Sequence, residues 1–126
     1  MRVVETEQIC KVTGADSINR TDRFAIHGTD LGILWDGGDG RVFVLFGDTF
    51  GEGWGGAGGG PNSADGRNNV LAFSTSTDLA AGLTFDGVVT RPDGTAAQVI
   101  PRDGRRDEVT VIPNSGLAVD GLQVVH

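Results

Sequence analysis

The amino-acid sequence predicts an all-β fold, and three observations carry that expectation. Glycine stands far above its usual share, at 21 of 126 residues, while proline numbers only 4. Glycine costs helix and strand interiors backbone entropy, so this level argues for many tight turns and against long helices. Two strand-like runs, Leu31-Gly32-Ile33-Leu34-Trp35 and Arg41-Val42-Phe43-Val44-Leu45-Phe46, flank the turn cluster Asp36-Gly37-Gly38-Asp39-Gly40. The hairpin they predict is apolar on both faces, which a lone sheet in water would not tolerate.

The elements follow in order. Glu7 to Thr13 alternates weakly and is expected as a strand. Asp16 to Arg23 is polar and reads as a loop. Phe24 to His27 leads into the hairpin. The simplest register sets Trp35 opposite Arg41, Asp30 opposite Phe46 and Asp48 opposite Gly28. Leu31, Ile33, Trp35, Phe43 and Leu45 then share one face, and Leu34, Val42, Val44 and Phe46 the other. A hairpin buried on both faces belongs inside a stack of sheets, as in the blades of a propeller.

Gly51 to Gly66 holds 8 Gly in 16 residues, with Pro61, Asn62 and Ser63, and reads as a long flexible loop. Asn69 to Ser74 is a strand. Thr77 to Ala81 is a turn or one short helical turn. Leu83-Thr84-Phe85, Val88-Val89-Thr90, Gln98-Val99-Ile100 and Glu108 to Ile112 are shorter strand candidates, and Arg102 to Asp107 is a charged loop. Gly116 to Val125, with a turn at Asp120-Gly121, reads as further strand. The run Leu122-Gln123-Val124-Val125-His126 stops in mid-pattern, so residues 1–126 are expected to be the N-terminal portion of a single longer domain.

Charge narrows the partners. The formal net charge is −7, from 17 acidic against 10 Lys and Arg residues. The one basic cluster, Arg102, Arg105 and Arg106, is interleaved with Asp103, Asp107 and Glu108. Without a cationic face a nucleic-acid partner is disfavoured, and so is an anionic membrane surface. A neutral polysaccharide remains. The single cysteine, Cys10, has no internal partner, no Cys/His spacing suits zinc, and no metal or other cofactor is expected. The opening residues carry no apolar signal-peptide core, and no stretch approaches the ~20 apolar residues of a membrane helix.

Chemistry is expected first at Asp30 and Asp48. In the register above both fall on one face as diagonal neighbours, which puts their Cβ atoms roughly 7–8 Å apart. Paired carboxylates at that range suit glycoside hydrolysis, one as general acid and the other as base or nucleophile, and the spacing is nearer the inverting range. A slip of one residue would send the pair to opposite faces. The competing reading is that each Asp ends its strand and bonds nearby backbone N–H groups.

Substrate contacts are expected from His27, Glu52, Trp54, Arg67, Asn68 and Asn69. Trp54 could stack on a sugar face, or tuck back onto the core. Arg67, Asn68 and Asn69 stand at the mouth of the next strand and could bond hydroxyls, or, for the asparagines, merely turn the chain. His27 lies near the same strand end and could tune an acid, although a lone His is more often structural. Ser76 to Phe85 resembles the Asp box of sialidase-type propellers, with two extra residues before Gly82 and Phe85 in place of Trp. That box is a structural turn and argues for fold alone.

Three ordered motifs carry a wider resemblance: His27-Gly28-Thr29-Asp30-Leu31-Gly32, Phe46-Gly47-Asp48-Thr49-Phe50-Gly51 and Asn69-Val70-Leu71-Ala72-Phe73-Ser74. Over roughly Ile9 to His126 the chain resembles a family of actinobacterial proteins long labelled a domain of unknown function, which includes endo-D-arabinanases. The resemblance implies a five-bladed β-propeller with its site at the axial funnel, a secreted or cell-envelope location and the arabinan of mycobacterial-type walls as substrate. Asp30 and Asp48 match the family's paired acidic residues. The chain departs from the family in length and in its lack of an export signal. A blade takes about 40 residues, so about two blades are expected here; a cytoplasmic or phage-borne shortened relative stays open. The expected function is thus the N-terminal part of an arabinan hydrolase. The alternatives are a non-catalytic glycan-binding or inactive truncated propeller, and a structural module of a cell surface or phage particle. Uncovered sheet faces would then favour self-association.

Overall fold

The structure is a computed structural model, and it describes residues 3–61, 64–105 and 107–126. Asn62 and Ser63 of the glycine-rich loop and Arg106 of the charged loop lie outside the described residues. The fold is all-β and antiparallel, as the sequence predicts, with one 3-10 turn at Thr21–Phe24. Its strands are β1 (Gly28–Asp36), β2 (Val42–Phe50), β3 (Gly66–Arg67), β4 (Val70–Ser74), β5 (Gly87–Val88), β6 (Gly116–Val119) and β7 (Leu122–Val125).

The main sheet runs β1-β2-β4-β5, and β3 pairs with β2 beyond the end of β4. Taken together, β3 and β4 are one interrupted third strand of an up-and-down meander. Four antiparallel strands in that order are the pattern of a propeller blade. The chain is thus consistent with a partial propeller, one four-stranded sheet followed by the hairpin β6–β7.

Both faces of β2 and β4 are covered, as expected for a stack, but β1 departs from that expectation, with Leu31 and Leu34 exposed. On one side Val44, Phe46, Val70, Ala72 and Val88 pack with Ile26 and Ala96. On the other Trp35, Phe43 and Leu45 pack with Leu71, Phe73, Val99, Ile100 and Val125. The second cluster ties β6–β7 to the sheet. Gly116 lies so close under Trp35 that a side chain there would overlap the indole. Trp35 Nε1 donates to Gln123 Oε1 (2.7 Å), and Gln123 Nε2 donates to Gly37 O (3.1 Å). The turn joining β6 and β7 has positive φ at Asp120 and Gly121, the two central residues, which is what an Asp-Gly hairpin turn supplies. Leu117, Val119, Leu122 and Val124, on the hairpin's other face, are exposed.

The structure corrects the register. Trp35 pairs with Phe43, not Arg41, Leu31 with Phe46, and Gly28 with Phe50 rather than with Asp48. The gain is a stacked Trp35–Phe43 pair, with centroids 5.4 Å apart, while Arg41 folds back onto Asp39 in the turn. A shift of two residues leaves the alternation of faces intact in the regular part of the ladder.

Several expected strands are not strands, for a shared reason. Glu7–Thr13, Leu83–Phe85 and Glu108–Ile112 are irregular, and Gln98–Ile100 makes a single bridge, Val70↔Gln98. Their backbone groups are met by side chains instead. Asn19 donates to Val12 O (3.1 Å) and Leu83 O (3.0 Å) and accepts from Phe85 N (2.7 Å). Val109 O takes Arg102, and Val111 O takes Asn69. Val88–Thr90 is reduced to the end of β5 and a bridge from Thr90 to Ala96.

Candidate functional site

The corrected register places Asp30 at a bulge across from Gly47 and Asp48. The pairs Thr29↔Thr49 and Leu31↔Phe46 leave Asp30 alone against Gly47 and Asp48, so the ladder bulges there. Asp30 lies over Gly47, where an added Cβ would stand 2.5 Å from its Oδ1. Asp30 and Asp48 are thus not the diagonal pair of a regular ladder, and the inverting-range spacing expected from a diagonal does not apply. The bulge is completed by Leu31 (φ 57) and Gly32 (φ 127). A left-handed leucine costs on the order of 1–3 kcal/mol, and such residues cluster at functional sites. Leu31 is left exposed beside Asp30.

The two carboxylates differ in their surroundings. Asp30 is exposed, whereas Asp48 is half-buried. Asp48 Oδ1 accepts from Thr110 Oγ1 (2.9 Å) and from Asn68 Nδ2 (3.4 Å). Beside it opens a cleft of about 440 Å³, walled by Gly59, Gly60 and Pro61 on one side and by Val109 and Thr110 on the other. Asn68 thus joins Asp48, its own N–H donating to Gln98 Oε1 (3.0 Å).

Its neighbours in sequence turn inward. The Arg67 side chain is buried, paired with Asp65 (2.8 Å), and donates to Ala96 O (3.1 Å) and Ala25 O (2.5 Å). Burial pushes its guanidinium below the usual range, against the pull of Asp65. Asn69 is fully buried and bonds Val99, Ile100 and Val111. Both side chains turn into the fold, where they hold the strand end that carries Asn68.

His27, Glu52 and Trp54 gather at a second opening of about 800 Å³, shared with Lys11, Thr13, Asp16 and Thr29. His27 Nε2 lies 3.5 Å from Glu52 Oε1. Trp54 stacks on Phe50 (5.1 Å, 13°), and its Nε1 donates to Gly58 O (2.8 Å). The Lys11 ammonium holds the Asp16 carboxyl below the usual carboxylate range, and Arg20 does the same for Asp22, which also lines the opening. Different stretches of the glycine-rich loop border the two openings, Trp54 to Gly56 and Gly59 to Pro61. The loop is pinned at its base by Gly51 N to Asp65 O (2.8 Å) and Asp65 N to Glu52 O (2.9 Å).

Gly28 is the seat of Trp54. A Cβ there would overlap the indole, so Gly28→Ala is expected to lift Trp54 off Phe50. Overpacking of this kind costs about 1–3 kcal/mol. Urea unfolding should show that loss, with a red shift of the tryptophan emission in the folded state; an unchanged spectrum would show that the ring does not rest there.

Thr110 was not legible in the sequence, since it lies 62 positions from Asp48 in an irregular segment. Among the described residues no group of three or more His, Cys, Asp or Glu is placed to hold a metal ion. Likewise among the described residues, no helix is long and apolar enough to cross a membrane. The family model described as Domain of unknown function (DUF4185) matches residues 16–126. A search of curated proteins finds no match.

Proposed function

The chain belongs to the DUF4185 family, and we propose that it forms part of a glycoside hydrolase cleaving arabinan within the chain, resembling endo-D-arabinanases. The observation that carries this reading is the bulge that sets Asp30 against Gly47 and Asp48. Glycoside hydrolysis needs two carboxylates flanking one bond, one to protonate the leaving oxygen and one to attack or to activate water. Here one acid is exposed and the other is held by two donors, so their environments differ as the two roles require. The irregular backbone at Leu31–Gly32 adjoins Asp30 and interrupts the regular ladder there.

In this reading the complete fold is a five-bladed propeller, with β1 innermost and the acids facing the axial funnel. The substrate is a neutral cell-wall arabinan met outside the cytoplasm. Trp54, His27 and Glu52 form a sugar-binding wall beyond the acid pair, and Asn68 bonds a hydroxyl next to Asp48. Arg67 and Asn69 serve the site by fixing its strand.

The test is incubation with arabinogalactan and, for comparison, with xylan, following new reducing ends and product length. Arabinan-specific release of oligosaccharides supports the reading. Affinity for arabinan in a titration, without new reducing ends, would replace it with a glycan-binding propeller. Equal release from xylan would remove the assigned substrate.

A further inference from the structure

Asp48 is not held by its own sheet alone. Thr110 reaches it from the irregular segment 107–115 that precedes β6, and its hydroxyl stands 2.9 Å from Asp48 Oδ1. That segment has no strand pairing of its own along Glu108–Ile112. Two side chains hold it on either side of Thr110: Asn69 Nδ2 donates to Val111 O (3.1 Å) and Arg102 Nη1 donates to Val109 O (3.2 Å). A buried amide at the start of β4 thus helps to set the height of a hydroxyl over the acid at the end of β2.

We propose that Thr110 is a positioning residue for Asp48, fixing the carboxylate rotamer through Oδ1 and leaving Oδ2 to face the reacting bond. The proposal rests on the glycoside-hydrolase reading for its consequence, although the contact itself does not. A carboxylate in a partly open cleft rotates about its Cα–Cβ and Cβ–Cγ bonds unless donors fix it. Asn68 at 3.4 Å is a weak hold. The Thr110 bond, at 2.9 Å, is the shorter of the two and lies within ordinary hydrogen-bond range. Misplacement of a reacting group by about 1 Å can cost on the order of 10²-fold in rate. Thr110 also lines the cleft beside Asp48.

The experiment compares Thr110→Val, which keeps the shape and removes the hydroxyl, with Thr110→Ser, which keeps the hydroxyl. On arabinan, Thr110→Val should lower kcat about 10²-fold with KM within about twofold, and Thr110→Ser should retain most of the activity. Equal losses in both variants, a loss confined to KM, or no loss in Thr110→Val would overturn the role. A second readout needs no turnover: the side-chain carboxyl ¹³C resonance of Asp48. It should move in Thr110→Val and stay in place in Thr110→Ser. If the unaltered protein does not cleave arabinan, the hydrolase reading falls, and the resonance alone decides the positioning contact. A resonance unmoved by Thr110→Val overturns it.

Discussion

Asn69→Ala is expected to destabilise the fold by about 3 kcal/mol or more. The Asn69 side chain lies fully buried. Its Oδ1 accepts from Val99 N (3.0 Å) and Ile100 N (2.8 Å), and its Nδ2 donates to Ile100 O (3.0 Å) and Val111 O (3.1 Å). That is the full capacity of an amide side chain. Truncation strands four backbone groups at once, each worth roughly 1–3 kcal/mol if it stays dry. Water entering the cavity recovers some of them, which sets the total nearer the lower end. With a urea slope of about 1–3 kcal/mol per molar, the midpoint should fall by at least about 1 M. Asn69→Asp should fare no better, because it removes both donors and buries a carboxylate. A midpoint within about 0.3 M of the unaltered protein would show that these bonds are replaced by solvent at no cost. It would also remove one of the two anchors assigned to Thr110.

The same residue explains what the sequence made legible and what it did not. The hairpin at Gly37-Gly38 and the Asp120-Gly121 turn were readable because alternation and turn chemistry are local, and the structure has both. Burial of both faces of β2 was readable for the same reason. The strands expected at Leu83–Phe85 and Glu108–Ile112 had suitable composition, but Asn19 and Asn69 claim their backbone groups from far away in the chain. Nothing local marks those asparagines as struts. The register erred by two because stacking of Trp35 on Phe43 outweighs the shortest turn. Asp30 still lies across the hairpin from Gly47 and Asp48. Arg67 looked like a surface hydroxyl binder and lies inside, because an arginine at a strand mouth reads alike whether its carbonyl partners are solvent or Ala25 and Ala96.

The largest change in activity is expected from the acids themselves, and it should come without loss of fold. Asp30→Asn and Asp48→Asn should each lower hydrolysis of arabinan by about 10²–10⁴-fold, the range that a general acid or base contributes. Asp30 is exposed, so its replacement should change stability by no more than about 0.5 kcal/mol. At Asp48 an amide oxygen can still accept from Thr110, which keeps the loop seated. Unchanged urea midpoints beside lost activity thus separate these variants from Asn69→Ala, which should lose both. The two acids can then be told apart by the leaving group. An aryl arabinoside whose phenolate departs unprotonated has no need of a general acid, but it still needs the nucleophile or base. Asp30 is the exposed member and Asp48 the one held by two donors, so Asp30→Asn should regain much of its rate on that substrate and Asp48→Asn should not. Recovery in Asp48→Asn alone would exchange the two roles. Full activity of both variants on arabinan would end the acid-pair reading and leave the sheet as a scaffold for binding.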